Sequence, residues 1–417
     1  MEEWKEYKLG EISDIQTGPF GSQLHQKDYV PLGTPCIMPT NIGNRLNIDT
    51  TNIAHVKGED VTRLQRHCVK EGDIIYSRRG DIEKCAYILP VNEGWLCGTG
   101  CLRIRVKDND VNSRFLAYQL STCECKKWIV GNAVGSTMLN LNTSILKELP
   151  LRLPSKNEQD RLVNILKSLD DKIEVNRRIN DNLEQQAQAL FKSWFVDFEP
   201  FRDQPFVESE LGMIPRTWSI QTANDVFEIN IGKTPPRKEQ EWFSDSNEDN
   251  VWVSIADMGS CGMFISDSSE YLTDEAIDRF NIIMVERNTV LLSFKLTVGR
   301  VAIADNRLTT NEAIARFILP ADYYREFLYL YLKQYKYENL GSTSSIATAV
   351  NSKTIKGMKL LMPPTSVISD FSKITKPLFE EIRYTLQESR RLAELRDTLL
   401  PRLMSGELKV NEIENAI

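Results

Sequence analysis

The stretch from Ser155 to Phe198 decides the fold, and it reads SKNEQDRLVNILKSLDDKIEVNRRINDNLEQQAQALFKSWFVDF. Ser155 directly follows Pro154, and Glu158 stands three residues further on, which is the pattern of a helix capping box. No further Gly or Pro occurs before Pro200, and residues of high helix propensity are frequent. The stretch therefore predicts one helix of about 65 Å, since a helix rises about 1.5 Å per residue.

The apolar residues of this helix recur in alternating steps of four and three, which is a heptad pattern. The positions of this seam are Leu162, Leu166, Leu169, Ile173, Asn176, Asn180, Leu183, Ala187, Leu190 and Trp194. The two Asn in its middle are of the kind that fix register at some cost in stability. One helix cannot bury such a seam against itself, so the pattern predicts a partner helix.

A second segment, residues 366–404, carries a matching seam. Its apolar members are Phe371, Leu378, Ile382, Leu392, Leu399 and Leu403. A constant offset of 209 residues relates the two seams, as in Leu162 and Phe371, and the same offset pairs Asn142 with Asn351 before the helices begin. We therefore interpret the chain as two copies of one unit, a globular block followed by a long helix.

The second helix is the less regular copy. Pro377 predicts a kink or a late start, and Pro401 predicts a disturbed last turn. The polar residues Thr375, Ser389 and Arg396 occupy seam positions where the first copy has Leu166, Asn180 and Ala187. Gly and Pro between short apolar runs predict β-structure with long loops in the blocks. The predicted boundaries are a first block at 1–154, a helical region at 155–199, a linker at 200–217, a second block at 218–364, a second helical region at 365–404 and a tail at 405–417.

The totals favour a cytoplasmic protein. The 417 residues contain no apolar run of about eighteen residues, the length that spans a membrane, and no signal-peptide pattern. The eight cysteines are interpreted as reduced thiols. The formal net charge of −7 argues against a polycation that coats nucleic acid, so a DNA-binding surface would have to be a local patch.

The motifs of common catalytic and cofactor sites are missing from the sequence. It has no GxGxxG, Walker A, HExxH, CxxC or nucleophile-elbow pattern, and no Asn-Pro-Pro-aromatic motif. The spacing of Cys97, Cys101, Cys123 and Cys125 matches no common zinc site. We expect this chain to be non-catalytic and to bind no metal or cofactor.

Basic residues in the connections of two predicted hairpins are the best candidates for a contact surface. They are Arg78, Arg79 and Lys84 in the hairpin at 69–89, and Lys295 and Arg300 in the hairpin at 285–303. Two Gly/Pro loops add Ser22, Gln23, Lys233 and Arg237. Arg suits bidentate contact with guanine or phosphate, and Lys suits phosphate. The alternative for these residues is a solvated turn.

Several of these segments resemble one family. NEQDRLVNILKSLDDKIEVNRRIN, continuing into ALFKSWFVDFEPF, resembles the first conserved region of specificity (S) subunits of type I restriction-modification enzymes. LPRLMSGEL at 400–408 resembles the end of their second conserved region, and the opening W-x-x-x-x-L-G-E-I also matches. Pro377 and the polar seam positions depart from the pattern.

The resemblance implies an α+β fold with two target recognition domains joined by an antiparallel coiled coil, which places them about an approximate two-fold axis. Each domain would read half of a split double-stranded DNA sequence. Two modification (methyltransferase) subunits would dock on the helices, and restriction subunits would join them. S-adenosylmethionine, ATP and magnesium would be used by those partners.

Two other functions remain open from the sequence. The paired helices could form a protein-interaction scaffold whose blocks read no DNA, and the acidic net charge is compatible with that. A stand-alone nuclease or methyltransferase would need catalytic motifs that the sequence lacks.

Overall fold

The computed structural model describes residues 4–20, 23–43, 45–135, 139–340 and 350–409. The chain divides into two compact units. The first comprises Met1–Lys172 with Arg391–Ile417, and the second comprises Ile173–Arg390. Each of the two long helices therefore contributes one part to each unit.

The first unit is built from short strands and helices that lead into a long helix. Its strands are β1 (Lys5–Lys8), β2 (Ser13–Thr17), β3 (Tyr29–Val30), β4 (Thr34–Ile37), β5 (Ala54–Val56), β6 (Ile74–Ser77), β7 (Cys85–Tyr87), β8 (Leu96–Cys97), β9 (Cys101–Val106) and β10 (Pro150–Leu153). Its helices are α1 (Leu9–Ile12), α2 (Gly58–Arg63), α3 (Ser113–Leu120), α4 (Cys123–Asn132), α5 (Thr143–Lys147) and the start of α6 (Lys156–Phe195).

The second unit repeats this plan after a hairpin of its own. Its strands are β11 (Phe206–Ser209), β12 (Gly212–Pro215), β13 (Ser219–Thr222), β14 (Glu228–Ile231), β15 (Phe243–Ser244), β16 (Asn250–Val253), β17 (Phe264–Ile265), β18 (Tyr271–Leu272), β19 (Val290–Ser293), β20 (Val301–Ala304), β21 (Thr309–Thr310), β22 (Ile314–Ile318) and β23 (Lys359–Met362). Its helices are α7 (Ala223–Val226), α8 (Ile255–Ser260), α9 (Asp274–Arg279), α10 (Tyr324–Gln334), α11 (Ser352–Lys356) and the start of α12 (Thr365–Met404).

The sheets of the two units have matching strand orders, except that the largest sheet of the second unit has one additional strand, β17. The first unit has β2-β9-β6-β7, β3-β5-β4-β8 and β1-β10; the second has β14-β22-β19-β20-β17, β15-β18-β16-β21 and β13-β23. Corresponding pairs also agree in direction, because β4 with β8 and β16 with β21 are parallel while their neighbours are antiparallel. The prediction of two similar globular blocks is confirmed.

Within each unit the two long helices run antiparallel. In the second unit Asn176 of α6 contacts Ser389 of α12, while Phe191, further along α6, contacts Phe371, further back on α12. In the first unit Leu166 near the start of α6 and Leu403 near the end of α12 belong to one core. The predicted α+β fold with long antiparallel helices is confirmed.

The predicted seam residues lie on the inner faces of these helices. Those that are buried are Leu162, Leu166, Asn176, Ala187, Phe371, Ile382 and Leu403, and those that are half-buried are Leu169, Ile173, Asn180, Leu183, Leu190, Trp194, Leu378, Leu392 and Leu399. Asn176 donates from Nδ2 to Glu388 Oε2 at 2.7 Å and to Ser389 Oγ at 3.2 Å. The Thr385 hydroxyl donates to the side-chain oxygen of Asn180.

Helix α12 departs from the expected irregularity. It begins at Thr365 and continues through Pro377 and Pro401 to Met404. The prediction of a late start is wrong, and the last turn stays helical through Pro401 to Met404. Each proline still lacks its backbone N–H, and the burial of the opposite side of the helix offsets that loss. The Ser405 N–H still donates to the Pro401 carbonyl at 3.0 Å, as in a regular last turn.

Residues 206–215 lie in the segment predicted as a linker, and they form the hairpin β11–β12. Gly212 has a φ of +93°, and the Ser209 hydroxyl donates to its carbonyl at 2.6 Å, which together close the turn. Among the described residues, no helix combines the length and apolar character needed to cross a membrane.

Candidate nucleic-acid interface

In the first unit, three connections meet at one end of the sheet β2-β9-β6-β7. They are residues 18–20 after β2, residues 78–84 between β6 and β7, and residues 98–100 before β9, and we name them together the first loop surface. The Gly18 N–H donates to the Cys101 carbonyl at 2.9 Å, and the Arg78 N–H donates to the Gly100 carbonyl at 2.8 Å. A Gly/Pro loop and a hairpin connection that are distant in sequence are thereby brought together.

The second unit forms the same arrangement, which we name the second loop surface. It consists of residues 232–237 after β14, residues 294–300 between β19 and β20, and residues 311–313 before β22. The Gly232 N–H donates to the Ile314 carbonyl at 3.2 Å, and the Phe294 N–H donates to the Ala313 carbonyl at 2.9 Å. These bonds correspond one by one to those of the first loop surface.

Glycine is required at the same point of both surfaces. A Cβ on Gly18 would lie 2.0 Å from the Gly98 carbonyl oxygen, and a Cβ on Gly232 would lie 2.1 Å from the Asn311 carbonyl oxygen. Both contacts are far shorter than any real Cβ contact. These glycines therefore serve the close approach of two loops.

The two hairpin connections are equally long and equally closed. The Ser77 N–H donates to the Lys84 carbonyl, and the Ser293 N–H donates to the Arg300 carbonyl, both at 2.9 Å. The third residue of each connection has a positive φ, +74° at Gly80 in the first and +59° at Leu296 in the second. Arg79 and Lys295, which precede these residues, therefore occupy equivalent positions.

Most candidate residues of the first unit bind groups of the protein itself. Arg78 donates from Nε to Asn140 Oδ1 at 3.2 Å and lies 5.9 Å from the centre of the Phe20 ring. Lys84 pairs with Asp81 at 3.3 Å. Arg79 is exposed, and no described residue pairs with its guanidinium group.

The two candidates of the first Gly/Pro loop, Ser22 and Gln23, add no exposed contact group to the first loop surface in the described residues. Gln23 is half-buried, its N–H donates to the Phe20 carbonyl at 3.3 Å, and its own carbonyl accepts from Arg63 at 2.8 Å. Its side-chain oxygen is buried and accepts no hydrogen bond from a described residue. Ser22 lies outside the described residues.

Lys233 and Arg300 of the second unit hold backbone carbonyls. Lys233 Nζ donates to the carbonyls of Phe280 and Asn281 at 3.1 Å and 3.0 Å. Arg300 Nη1 donates to the Ile255 carbonyl at 2.6 Å. These two cations fasten the second loop surface to neighbouring segments.

Arg237 is held from three sides. Its guanidinium group lies 4.5 Å from the centres of the Phe243 and Trp252 rings and donates to Glu270 at 2.7 Å and 2.9 Å. The hydrogen bonds to Glu270 raise the pKa of Arg237. Lys295 differs, since it is exposed, lies 5.8 Å from the Phe294 ring and forms no ion pair in the part of the chain that the structure describes.

The structure therefore sorts the nine candidates. Only Arg79 and Lys295, among those in the described ranges, present a cation that is not held by a protein oxygen or by several rings. They stand beside Gly80 and Leu296, which sequence reasoning did not select. The equal spacing of Ser77 to Lys84 and of Ser293 to Arg300 was the signal that could have aligned them.

The cysteines are better explained as packing residues than as reactive or metal-binding groups. All eight are free thiols, and Cys97 and Cys101 are buried. Burial raises the pKa of both thiols, and it raises the pKa of Cys125 to about 11. Nowhere in the described ranges do three or more His, Cys, Asp or Glu residues form a group that could hold a metal ion.

A family model described as "Type I restriction modification DNA specificity domain" matches residues 1–185 and, a second time, residues 215–389. The chain belongs to this family. As a specificity subunit of type I restriction-modification systems, it is a protein of DNA sequence recognition.

Relatives match over the full length. The chain is 27% identical to the type I restriction enzyme HindI specificity subunit of Haemophilus influenzae, over 98% of this chain and 100% of that protein. It is 26% identical to the MjaIX specificity subunit of Methanocaldococcus jannaschii, over 99% and 95%. The fold resembles the crystal structure of a type I restriction-modification S subunit from M. genitalium, with a TM-score of 0.56, 16% identity and 96% of each chain covered.

Proposed function

We propose that this specificity subunit reads a bipartite, asymmetric site in double-stranded DNA, with one loop surface on each half-site, and that it is itself non-catalytic. The observation that carries the proposal is the equivalence of the two surfaces. Each presents a hairpin connection of the same length, with an exposed cation before its third residue. The side chains differ, with Arg79 and Gly80 in one and Lys295 and Leu296 in the other, so the half-sites should differ in sequence.

A hairpin connection suits the reading of bases. A two-stranded β-ribbon fits the major groove of B-DNA, where an Arg can contact guanine with two hydrogen bonds. Arg79 has the fork geometry for that contact, whereas Lys295 suits a phosphate or a single guanine acceptor. Both are local cations on a chain of net charge −7, so affinity should depend on few ionic contacts.

We further propose that the long helices dock two methyltransferase (modification) subunits, to which restriction subunits are added. Large apolar side chains exposed on these helices support this: Val175 on α6, and Ile374, Tyr384 and Leu395 on α12, are between 47% and 59% exposed. S-adenosylmethionine, ATP and magnesium would then be bound by the partners. Such a complex would act in the cytoplasm, where the free thiols of this chain stay reduced.

The test is the methylation specificity of the assembled complex. Methylated adenines are mapped on genomic DNA exposed to the chain together with its methyltransferase subunits. We expect a split motif, and we expect Arg79→Ala to weaken binding about 10- to 100-fold and to relax the sequence of one half only, since a bidentate Arg–guanine pair is worth about 1–3 kcal/mol. Lys295→Ala should weaken binding less and act through the other half.

Matched controls lie at the opposite end of the same strands. Lys107 follows the end of β9 and donates to the Gly10 carbonyl at 3.2 Å, and Arg307 follows the end of β20 and pairs with Glu286 at 3.5 Å. Lys107→Ala and Arg307→Ala should leave both halves of the motif unchanged. A continuous motif, no DNA binding by the complex, or an Arg79→Ala variant that alters both halves alike would contradict the proposal and would favour a protein-interaction scaffold.

A further inference from the structure

Leu296 buries none of its side chain against the described residues. Its side chain is 101% exposed, and its φ of +59° lies in the left-handed region. For residues with a Cβ this conformation is unfavourable, and Gly adopts it freely. The first unit has Gly80 at the equivalent position, with a φ of +74°.

Hydrogen bonds at the base of the 294–300 connection fix the position of the tip that carries Leu296. The Ser293 hydroxyl donates to the Thr297 carbonyl at 2.6 Å and accepts from the Arg300 N–H at 3.0 Å. Phe294, at the start of the connection, is only 1% exposed. A fully exposed apolar side chain is therefore presented on a fixed support, next to the exposed Lys295.

An unfavourable backbone conformation that packing does not repay points to a function outside the folded chain. In a protein of DNA sequence recognition, the partner of an apolar side chain at a hairpin tip is an apolar part of a base. In the major groove the only such group at a base edge is the 5-methyl group of thymine. The adjacent Lys295 has the charge for the phosphate backbone.

We propose that Leu296 is a specificity-determining residue that reads the 5-methyl group of a thymine in one half-site. The proposal rests on the proposed function, because it assumes that the second loop surface meets the major groove. The first loop surface has no side chain at Gly80, so the other half-site lacks this contact. The two half-sites then differ by an apolar contact as well as by the Arg79 and Lys295 contacts.

The test uses the chain assembled with its methyltransferase subunits and duplexes that carry the methylation motif. Each thymine of the half read by the second loop surface is replaced in turn by uracil, which lacks only the methyl group. At one position, we expect uracil to weaken binding about 3- to 10-fold, the value of burying one methyl group with its neighbouring area. Leu296→Ala and Leu296→Gly should bind the thymine and uracil duplexes equally.

A second measurement separates this role from a structural one. Leu296→Gly relieves the left-handed conformation, so its melting temperature should equal or exceed that of the unchanged chain while thymine discrimination is lost. Gly80→Leu is the matched control: a Cβ at Gly80 meets no atom within 4 Å, and its φ of +74° gives the new leucine the same unfavourable backbone conformation as Leu296. It should leave the thymine-to-uracil ratio of the second half-site unchanged.

Several results would overturn the proposal. They are a half-site without thymine on either strand, equal binding of all uracil duplexes by the unchanged chain, and discrimination that persists in Leu296→Gly. Uracil-insensitive binding with a kinked duplex would identify Leu296 as a wedge between base pairs instead. In each of these cases the split motif and the Arg79→Ala effect persist, whereas failure of the proposed function removes both.

Discussion

The first and second units place different chemistry at one equivalent buried position. The equivalent position is found by aligning helices α3 and α10, which share the spacing of an Arg and a Tyr. Helix α3 carries Arg114, Phe115 and Tyr118, and helix α10 carries Arg325, Glu326 and Tyr329, so Phe115 corresponds to Glu326. Phe115 and Glu326 are both 0% exposed. Phe115 lies in the apolar core of the first unit, whereas Glu326 accepts from Arg325 at 2.8 Å and from the Ser372 hydroxyl at 2.9 Å.

The long helices that pack against Phe115 and Glu326 differ in the same way, with an apolar residue in the first unit and a polar residue in the second. By the offset of 209 residues, Val163 of α6 corresponds to Ser372 of α12. Val163 is buried in the first core, and Ser372 is 4% exposed and bonded to Glu326. A polar position in one unit therefore comes with a polar partner, and an apolar position comes with an apolar partner.

Nearer the middle of the long helices the first unit has the polar residues and the second unit has the apolar ones. Arg396 donates to Asp170 at 2.8 Å, and Tyr118 donates to the same carboxylate. The offset takes Asp170 to Phe379 and Arg396 to Ala187, both 0% exposed in the second unit. The duplicated backbone accepts either chemistry, provided that every buried group of the set finds its partner.

The largest expected effect concerns the charged set of the second unit. Burial would lower the pKa of Arg325, but the charge of Glu326 and the hydrogen bonds that Arg325 donates to Glu380 and Glu326 raise this pKa overall. Glu326→Ala removes the more deeply buried of these two acids. We expect the free energy of unfolding of the second unit to fall by about 3 kcal/mol, the lower end for a broken buried pair, because Glu380 remains at 2.8 Å.

Hydrogen exchange followed by mass spectrometry during urea unfolding measures this effect unit by unit. Glu394→Ala, at an exposed position of α12, is the control and should change stability by less than about 0.5 kcal/mol. A loss below about 1 kcal/mol in Glu326→Ala would show that Glu380 alone can hold Arg325. An equal loss in the first unit would show that the two sets are not independent.

A smaller effect is expected at the polar set of the first unit. Asp170→Ala leaves the Tyr118 hydroxyl and the buried Arg396 without their common acceptor, although Arg396 keeps Asp397 at 2.5 Å. We expect a loss of about 2 kcal/mol in the first unit, the value of hydrogen bonds to a charged group. The same exchange experiment reports it.

The adjacent acid provides the control for Asp170. Asp171 is 53% exposed and pairs with the exposed Lys167, so Asp171→Ala should cost at most about 0.5 kcal/mol. Equal losses for the two variants would mean that the buried set adds nothing beyond helix electrostatics. A loss in the second unit on Asp170→Ala would contradict the separation of the sets.

The sequence predicts what depends on local pattern. The offset of 209 residues that pairs Asn142 with Asn351 predicts equivalent roles for the two side chains. Asn142 caps α5 by accepting from the Ile145 N–H, and Asn351 caps α11 by accepting from the Thr354 N–H. The heptad seam likewise depends on spacing within one segment. Both features are visible because each leaves a regular pattern within one short segment, even where its partner lies in a distant segment.

Contacts between distant segments could not be predicted in this way. The alternation of CLRIRV predicts a half-exposed strand, yet Arg103 is 8% exposed, because it donates to the Arg66 carbonyl and to Gln16 Oε1, both at 2.8 Å. The same reason hides which candidate cations are held. Arg237 meets Glu270, and only tertiary structure brings them together.

The smallest expected effect is the response of the two tyrosines to alkaline pH. Burial raises the pKa of Tyr118, and so do the charge and hydrogen bond of Asp170; burial and Glu184 raise the pKa of Tyr329. The folded state thus retains a phenol proton that the unfolded state loses near pH 10. Each tyrosine therefore makes its full contribution to the free energy of unfolding below about pH 10. Above that pH the contribution falls by at most about 1.4 kcal/mol per pH unit.

Tyr118→Phe and Tyr329→Phe separate the two contributions. Each variant should flatten the loss of stability between about pH 10 and pH 11 in its own unit and leave the slope of the other unit unchanged. The slope is the informative quantity, because each variant also loses a hydrogen bond at every pH. Parallel slopes for Tyr118→Phe and the unchanged chain would mean that Tyr118 ionises in the folded unit as easily as in the unfolded chain, and the Tyr118–Asp170 contact would then be too weak to hold α3 against α6.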